Sequence, residues 1–172
     1  TQAILDDIDE FLKQCVKTNR PEFMNPLWGG INLAGFAGEV IAALTNQSMY
    51  TYELSPIATL IEKAVIERMM EIFGYWEWFG TLTTGGSNGN MLGMLCARHY
   101  ADPMSTLNGF DGTKYVAFVS EEAHYSVLMS ANVIGIGHQN LIKVKCDSSG
   151  RIKPESLIDE IKRAVANERV QF

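Results

Sequence analysis

The sequence predicts an α/β fold, a sheet with helical crossovers, and three observations carry that expectation. YVAFVS (115–120) and LIKVKC (141–146) have the β-branched and alternating composition of strands. Each is followed by a helix-like segment, residues 124–134 and Pro154 to about Asn167. Ahead of them a short strand-like run, 79–84, passes through GGSNG into another helical pattern, 88–101. Strand and helix in strict alternation is the signature of crossover connections.

The elements follow in order. Ile4, Leu5, Ile8, Phe11, Leu12, Cys15 and Val16 recur on one helical face, so residues 2–17 read as an amphipathic helix in need of a partner surface. PEFMNPLWGG (21–30) is a loop, apolar yet rich in turn formers, of the kind that lines something. Residues 33–45 read as a helix of small residues ended by Asn46. Ser55 as N-cap, Pro56 at the first helical position and Gly74 just past the end bracket the clearest helix. Farther on, Ser148-Ser149-Gly150 turns the chain toward Pro154, and Arg169 to Phe172 begin a further strand. A chain ending where a strand begins reads as a piece of something longer.

Composition narrows the function classes. The 172 residues suffice for one domain with a real core, and 47% hydrophobic and 20% charged residues exclude disordered and low-complexity classes. Fourteen Lys and Arg against 20 Asp and Glu give a net charge of −6 with no basic block, so nucleic acid is not an expected partner. Cys15, Cys96 and Cys146 are odd in number and far apart, which predicts a reducing, cytoplasmic setting. No apolar run approaches membrane-spanning length, and Asp6, Asp7, Asp9 and Glu10 stand where a signal peptide carries positive charge. Neither export nor membrane insertion is expected.

Three groups of residues can carry chemistry. In TTGGSNGN (83–90) the glycines admit close backbone approach, the start of the next helix offers free N–H groups, and Ser87 adds a hydroxyl, which together suit a phosphate. It is neither a P-loop nor GxGxxG, and a plain turn with Ser87 or Asn88 as cap explains it equally well. In SEEAHYS (120–126), His124 follows a strand's carboxyl end, where α/β sheets bind ligands; a hydrogen-bonded surface histidine is the alternative. A metal site from Glu121, Glu122 and His124 is not expected, because adjacent side chains there point apart. Tyr50, Tyr52, Tyr75, Trp76, Trp78 and Phe79 can shape a pocket or interface, or simply pack a core.

NQSMYTYELSPIATLIEKAVIERMMEIFGY, then TTGGSNGNMLGMLCARHY, then VSEEAHYSVLMSANVIGIG, in this order and spacing, resemble the pyridoxal-phosphate-dependent amino-acid decarboxylases of the glutamate, cysteine-sulfinate and aromatic amino-acid group. The resemblance runs from about Arg20 to Phe172 and covers the front half of such an enzyme. It implies a fold type I large domain, in part, preceded by N-terminal helices: residues 1–50 a helical dimerisation segment, 51–172 the first half of the cofactor-binding domain. It implies pyridoxal 5′-phosphate as cofactor, Gly86 and Ser87 at its phosphate, His124 stacked on its ring and helping to place the substrate, and a homodimer in which residues 2–17 and Tyr50 to Pro56 take part. The implied activity is decarboxylation of an L-amino acid to its amine.

Two features depart from the resembled pattern. The family's cofactor lysine directly follows a histidine, and no His-Lys pair occurs in these residues. The segment alone is therefore expected to be inactive, and a pseudoenzyme or assembly segment that keeps the fold is the alternative. In FMNPLWGG, Pro26 stands where glutamate-type members carry glutamine and can donate no hydrogen bond to a distal carboxylate. Pro26 and Leu27 thus become the candidate substrate residues, with Leu27 and Trp28 suited to a less polar side chain.

Overall fold

The computed structural model describes residues 1–76, 79–109, 112, 114–167 and 170–171. By contacts the chain divides into two compact units, residues 1–78 and 79–172.

The first unit holds three helices, α1 (Gln2–Gln14), α2 (Leu33–Thr45) and α3 (Pro56–Phe73). α1 stops three residues short of the expected 17. Cys15 is already extended, with φ −68° and ψ 144°, and the Lys17 ammonium folds back to donate to the Leu12 carbonyl, satisfying one of the last-turn oxygens. α2 starts at Asn32, whose Oδ1 accepts from the Gly35 N–H at 2.9 Å, and ends at Asn46 in the left-handed region, φ 44°. α3 begins with Pro56 and ends at Gly74, φ 78°, as its sequence bracket predicts.

Ser55 holds the expected N-cap position but does not cap with its side chain. Its hydroxyl donates instead to Gln47 Oε1 at 2.8 Å, tying the α2–α3 connection to the helix start. Ser55 is the only buried residue described in this unit, and the apolar face of α1 stays open: Ile4, Leu5, Ile8, Phe11 and Leu12 are 48–67% exposed. Tyr50, Tyr52, Tyr75 and Trp76 are exposed as well, and Trp78 lies outside the described residues. Within this segment these aromatics are not packed in a core.

The second unit runs α4 (Gly86–Ala101), α5 (Ser105–Asn108), β1 (Tyr115–Ser120), α6 (Ser126–Val133), β2 (Leu141–Val144), α7 (Pro154–Ala166) and β3 (Val170–Gln171). The three strands form one parallel sheet in the order β2-β1-β3. Ala117 faces Leu141 and Ser120 faces Val144 across one ladder, and Tyr115 faces Val170 across the other. Helices between parallel strands are the crossovers the alternation requires. Tyr115, Ala117, Ala131, Ile134, Ile136 and Leu141 make the core, and Met91, Met94 and Leu95 of α4 pack against it. At the edge of that core Tyr115 donates its hydroxyl to Asp102.

The expected strand at 79–84 is absent: no described strand lies beside these residues, and without a ladder an extended run is irregular chain. Phe79 and Leu82 are accordingly exposed. β2 ends at Val144, two residues early, because Cys146 leaves the parallel ladder for an isolated antiparallel bridge to Ile152. Of the last expected strand, Val170 and Gln171 pair with β1, while Arg169 and Phe172 lie outside the described residues.

Candidate functional site

The site in the second unit is built where two helices begin. α4 starts at Gly86, two residues before the expected position, and its N-cap is Gly85 rather than Ser87 or Asn88. Gly85 has φ +148°, a conformation that side-chain-bearing residues rarely adopt, so the sequence needs glycine there. The first intrahelical bond runs from the Gly89 N–H to the Gly85 carbonyl at 3.0 Å, and no side chain caps the helix. The N–H groups of Gly86, Ser87 and Asn88 are therefore the free first-turn donors, at the positive end of the helix dipole. A Cβ built on Gly85 or Gly86 meets nothing within 4 Å, so open space lies against this backbone.

Beyond Ser120, at the carboxyl end of the central strand, the chain turns through Glu121 and Glu122 to His124 and enters α6 at Ser126. A sheet that begins 2-1-3 has its crevice at this end. His124 is not in the helix, as the 124–134 expectation had it; it precedes the first turn because its ring serves that turn. Nδ1 accepts from the Ser126 backbone N–H at 3.2 Å and lies 2.8 Å from Ser126 Oγ. The imidazole is exposed, and Tyr125 leans on it with ring centroids 4.3 Å apart at 40°.

The two helix starts face one cleft of ≈ 270 Å³, lined by Ser87, Asn88 and Met91 of α4 and by Tyr125, Ser126, Met129, Ser130 and Val133 at and within α6. Asn90 Nδ2 donates to Ser126 Oγ at 2.8 Å and ties α4 to α6, so the fold brings the helix that begins at Gly86 and Ser87 together with the segment holding His124. Sequence reasoning missed Asn90 and Ser126. Their link joins polar side chains 36 positions apart, and only the α4–α6 packing creates it.

Free donors at an uncapped helix start, open space beside glycine and a hydroxyl on the cleft wall fit the phosphate of the cofactor implied by the resemblance. Among the described residues no group of three His, Cys, Asp or Glu side chains is gathered as a metal site. Asp147 is the titratable group with a clear shift near this end of the sheet: the Ser149 hydroxyl, then the Arg151 and Ser149 backbone N–H groups, hold its carboxyl below the usual range.

Pro26 and Leu27 belong to the first unit and are described there alone. Pro26 lines a cleft of ≈ 470 Å³ with Phe23, Met24, Asn25, Trp28 and Gly29. Leu27 is 95% exposed, and its backbone N–H donates to Asn25 Oδ1 at 2.9 Å. Phe23 and Trp28 meet edge to face at 6.2 Å, giving the loop its apolar wall.

Comparison with known proteins identifies relatives in sequence and in fold. The acidic amino acid decarboxylase GADL1 of Mus musculus is 38% identical over 172 aligned positions, which cover 95% of this chain and 31% of that protein. The human protein of the same description is 35% identical over 162 positions, 94% of this chain and 31% of its own. The crystal structure of mouse CSAD in apo form superposes with a TM-score of 0.94 at 33% identity, covering 99% of this chain and 36% of that one. Tryptophan decarboxylase of Catharanthus roseus, solved in complex with L-tryptophan, shares the fold at 22% identity, with a TM-score of 0.82 over 97% of this chain and 37% of its own. The expected fold class, part of a fold type I large domain preceded by helices, is thereby established. The chain spans about a third of the length of these relatives. The family described as pyridoxal-dependent decarboxylase conserved domain matches residues 1–172 from end to end, and the chain belongs to that family.

Proposed function

We propose that the protein containing this segment is a pyridoxal-phosphate-dependent decarboxylase of L-amino acids, and that the segment supplies the phosphate cradle and the ring-stacking histidine of its cofactor site. The observation that carries this reading is the juncture of two helix starts: the uncapped α4 start and the α6 start share a cleft, and Ser126 on its wall is bonded both to Asn90 of α4 and to His124. The bound cofactor supplies an electron sink for the bond to the departing carboxylate. The chain's own residues bind and place. Gly86 and Ser87 offer N–H groups and a hydroxyl to the phosphate; His124 offers a flat, exposed face to the ring and holds a proton at its outer edge.

No His-Lys pair lies in the 172 residues, so the cofactor lysine is assigned to the rest of the protein and the segment alone is inactive. The substrate class follows the relatives, which are described as acidic amino acid decarboxylases. Pro26 donates no hydrogen bond, so a substrate's distal carboxylate must be met by other groups, while Pro26 and Leu27 shape the apolar side of the substrate space.

The apolar face of α1, open within its own unit, suits a helix exchanged between two copies, and we assign residues 1–50 and the Tyr50 to Pro56 stretch to a homodimer interface. No helix among the described residues is long and apolar enough to cross a membrane. The three cysteines are free, in keeping with a cytoplasmic home.

The test uses the full-length protein. Adding pyridoxal phosphate should produce the visible absorption of a lysine-bound cofactor, and carbon dioxide should be released from acidic L-amino acids faster than from aromatic ones. His124→Ala should keep binding and lose most turnover. A full-length protein that binds no cofactor overturns the reading in favour of a pseudoenzyme. Turnover unchanged in His124→Ala overturns the role of that residue.

A further inference from the structure

We propose that Ser126 is a positioning residue that fixes the tautomer of His124, making the exposed edge of the imidazole a hydrogen-bond donor. The inference rests on the reading above for its catalytic meaning, but its geometry stands apart from any cofactor. Two groups of Ser126 address the same ring nitrogen. The backbone N–H lies 3.2 Å from Nδ1, and the hydroxyl oxygen lies 2.8 Å from it.

A hydroxyl can turn either way, and an amide side chain can be flipped, so the hydroxyl contact alone leaves the proton's place open. The backbone N–H cannot be reversed. Because it donates to Nδ1, that nitrogen presents its lone pair, and the hydroxyl must donate too. Its oxygen then accepts from Asn90 Nδ2 at 2.8 Å, which completes a one-way chain from α4 through Ser126 to His124. The neutral imidazole therefore carries its proton on Nε2. The donor chain is sheltered: Ser126 is 2% exposed, and Ser130 Oγ donates to the Ser126 carbonyl at 2.7 Å, locking the first turn of α6.

The consequence is chemical polarity at the cleft. An Nε2–H edge attracts an anionic or carbonyl oxygen on the reacting molecule and cannot accept a proton unless the Nδ1 donors give way.

The experiment is ¹⁵N spectroscopy of the histidine side chains in the full-length protein, selectively labelled, without cofactor, with His124→Asn identifying the signals. Wild type should show His124 protonated at Nε2. Ser126→Ala keeps only the longer backbone bond at Nδ1, so a minor Nδ1–H population should become measurable beside Nε2–H, and kcat should fall by about tenfold, the lower end of the cost of removing a partner that orients a metal-bound histidine. Ser126→Thr, which keeps both donors, should restore the single tautomer and most of kcat. Circular dichroism of each variant separates misfolding from loss of the bond. A wild-type Nδ1–H tautomer overturns the proposal, and so does a Ser126→Ala protein with unchanged tautomer and unchanged kcat. Because the tautomer is measured without cofactor, a failure of His124 to serve the cofactor is read separately, from the His124→Ala turnover.

Discussion

The two units of the chain solve the problem of order in opposite ways. Residues 1–78 hold three well-bounded helices but bury, among the described residues, a single side chain, the polar Ser55. Residues 79–172 close a parallel sheet over a shared core in which Val116 and Val144 are wholly buried. Local signals therefore suffice to write helices, while a site needs packing that fixes side chains from distant positions. The difference separates the two kinds of feature: the cleft between α4 and α6 lies in the unit with a core, and the open apolar faces lie in the unit without one.

The sharpest way to break this contrast is to place a charge in each unit. Val116→Asp buries a carboxylate with no partner in the central strand and should cost on the order of 4 kcal/mol, enough to lose the soluble protein, as read by thermal denaturation of the full-length chain. Leu12→Asp places the same charge on the exposed face of α1 and should leave thermal unfolding of the second unit unchanged. It should instead shift the full-length protein from dimer to monomer in sedimentation velocity. Equal thermal losses in both variants would show that α1 is held by packing within one chain, and the division between the units would fall.

The same contrast explains what was legible in the sequence. Pro56, Gly74 and Asn46 mark helix ends through backbone constraints that act at one position, and the structure follows them. Residues 79–84 have the composition of a strand, but a strand exists only beside a partner, and composition cannot supply one. Gly86, Ser87 and His124 stand out in the sequence because each sits where chain direction changes, after or before an element of clear pattern, while the roles expected of them come from the family resemblance. Asn90 and Ser126 were not, since an asparagine and a serine in helical segments are ordinary until α4 and α6 pack. The Ser55 hydroxyl misled for the reverse reason: its position is that of a cap, but the Gln47 side chain, eight residues back, offers it a different acceptor.

A smaller effect sharpens the account of the site itself. Gly85 has φ +148° with open space at its missing Cβ, so a side chain there is opposed by backbone conformation rather than by a clash. Gly85→Val should force the turn to re-form, displace the first-turn donors of α4 and weaken pyridoxal-phosphate affinity of the full-length protein at least about tenfold, or ~1.4 kcal/mol. The far-ultraviolet dichroism should hardly change, because α4 remains anchored by Met91, Met94 and Leu95 on the core. Unchanged affinity in fluorescence titration would make this turn a connector only.

The least effect belongs to Asp147, in the turn that carries the chain from β2 toward α7. Its carboxylate accepts from the Ser149 N–H at 2.8 Å, the Ser149 hydroxyl at 2.7 Å and the Arg151 N–H at 3.1 Å, and these donors lower its pKa on folding. A lowered folded value means that the turn's contribution is fully present above the unfolded carboxylate's pKa of about 4 and fades as pH falls through the lower, folded one. Exchange of the Ser149 and Arg151 amides should therefore be slow at neutral pH and gain relative speed only in acid, once the intrinsic pH dependence of exchange is removed. Asp147→Asn should abolish that acid transition and leave the cleft residues, including the Ser126 amide, with unchanged protection. If the Ser126 amide lost protection as well, the turn and the cleft would be one cooperative unit rather than two local structures on a common sheet.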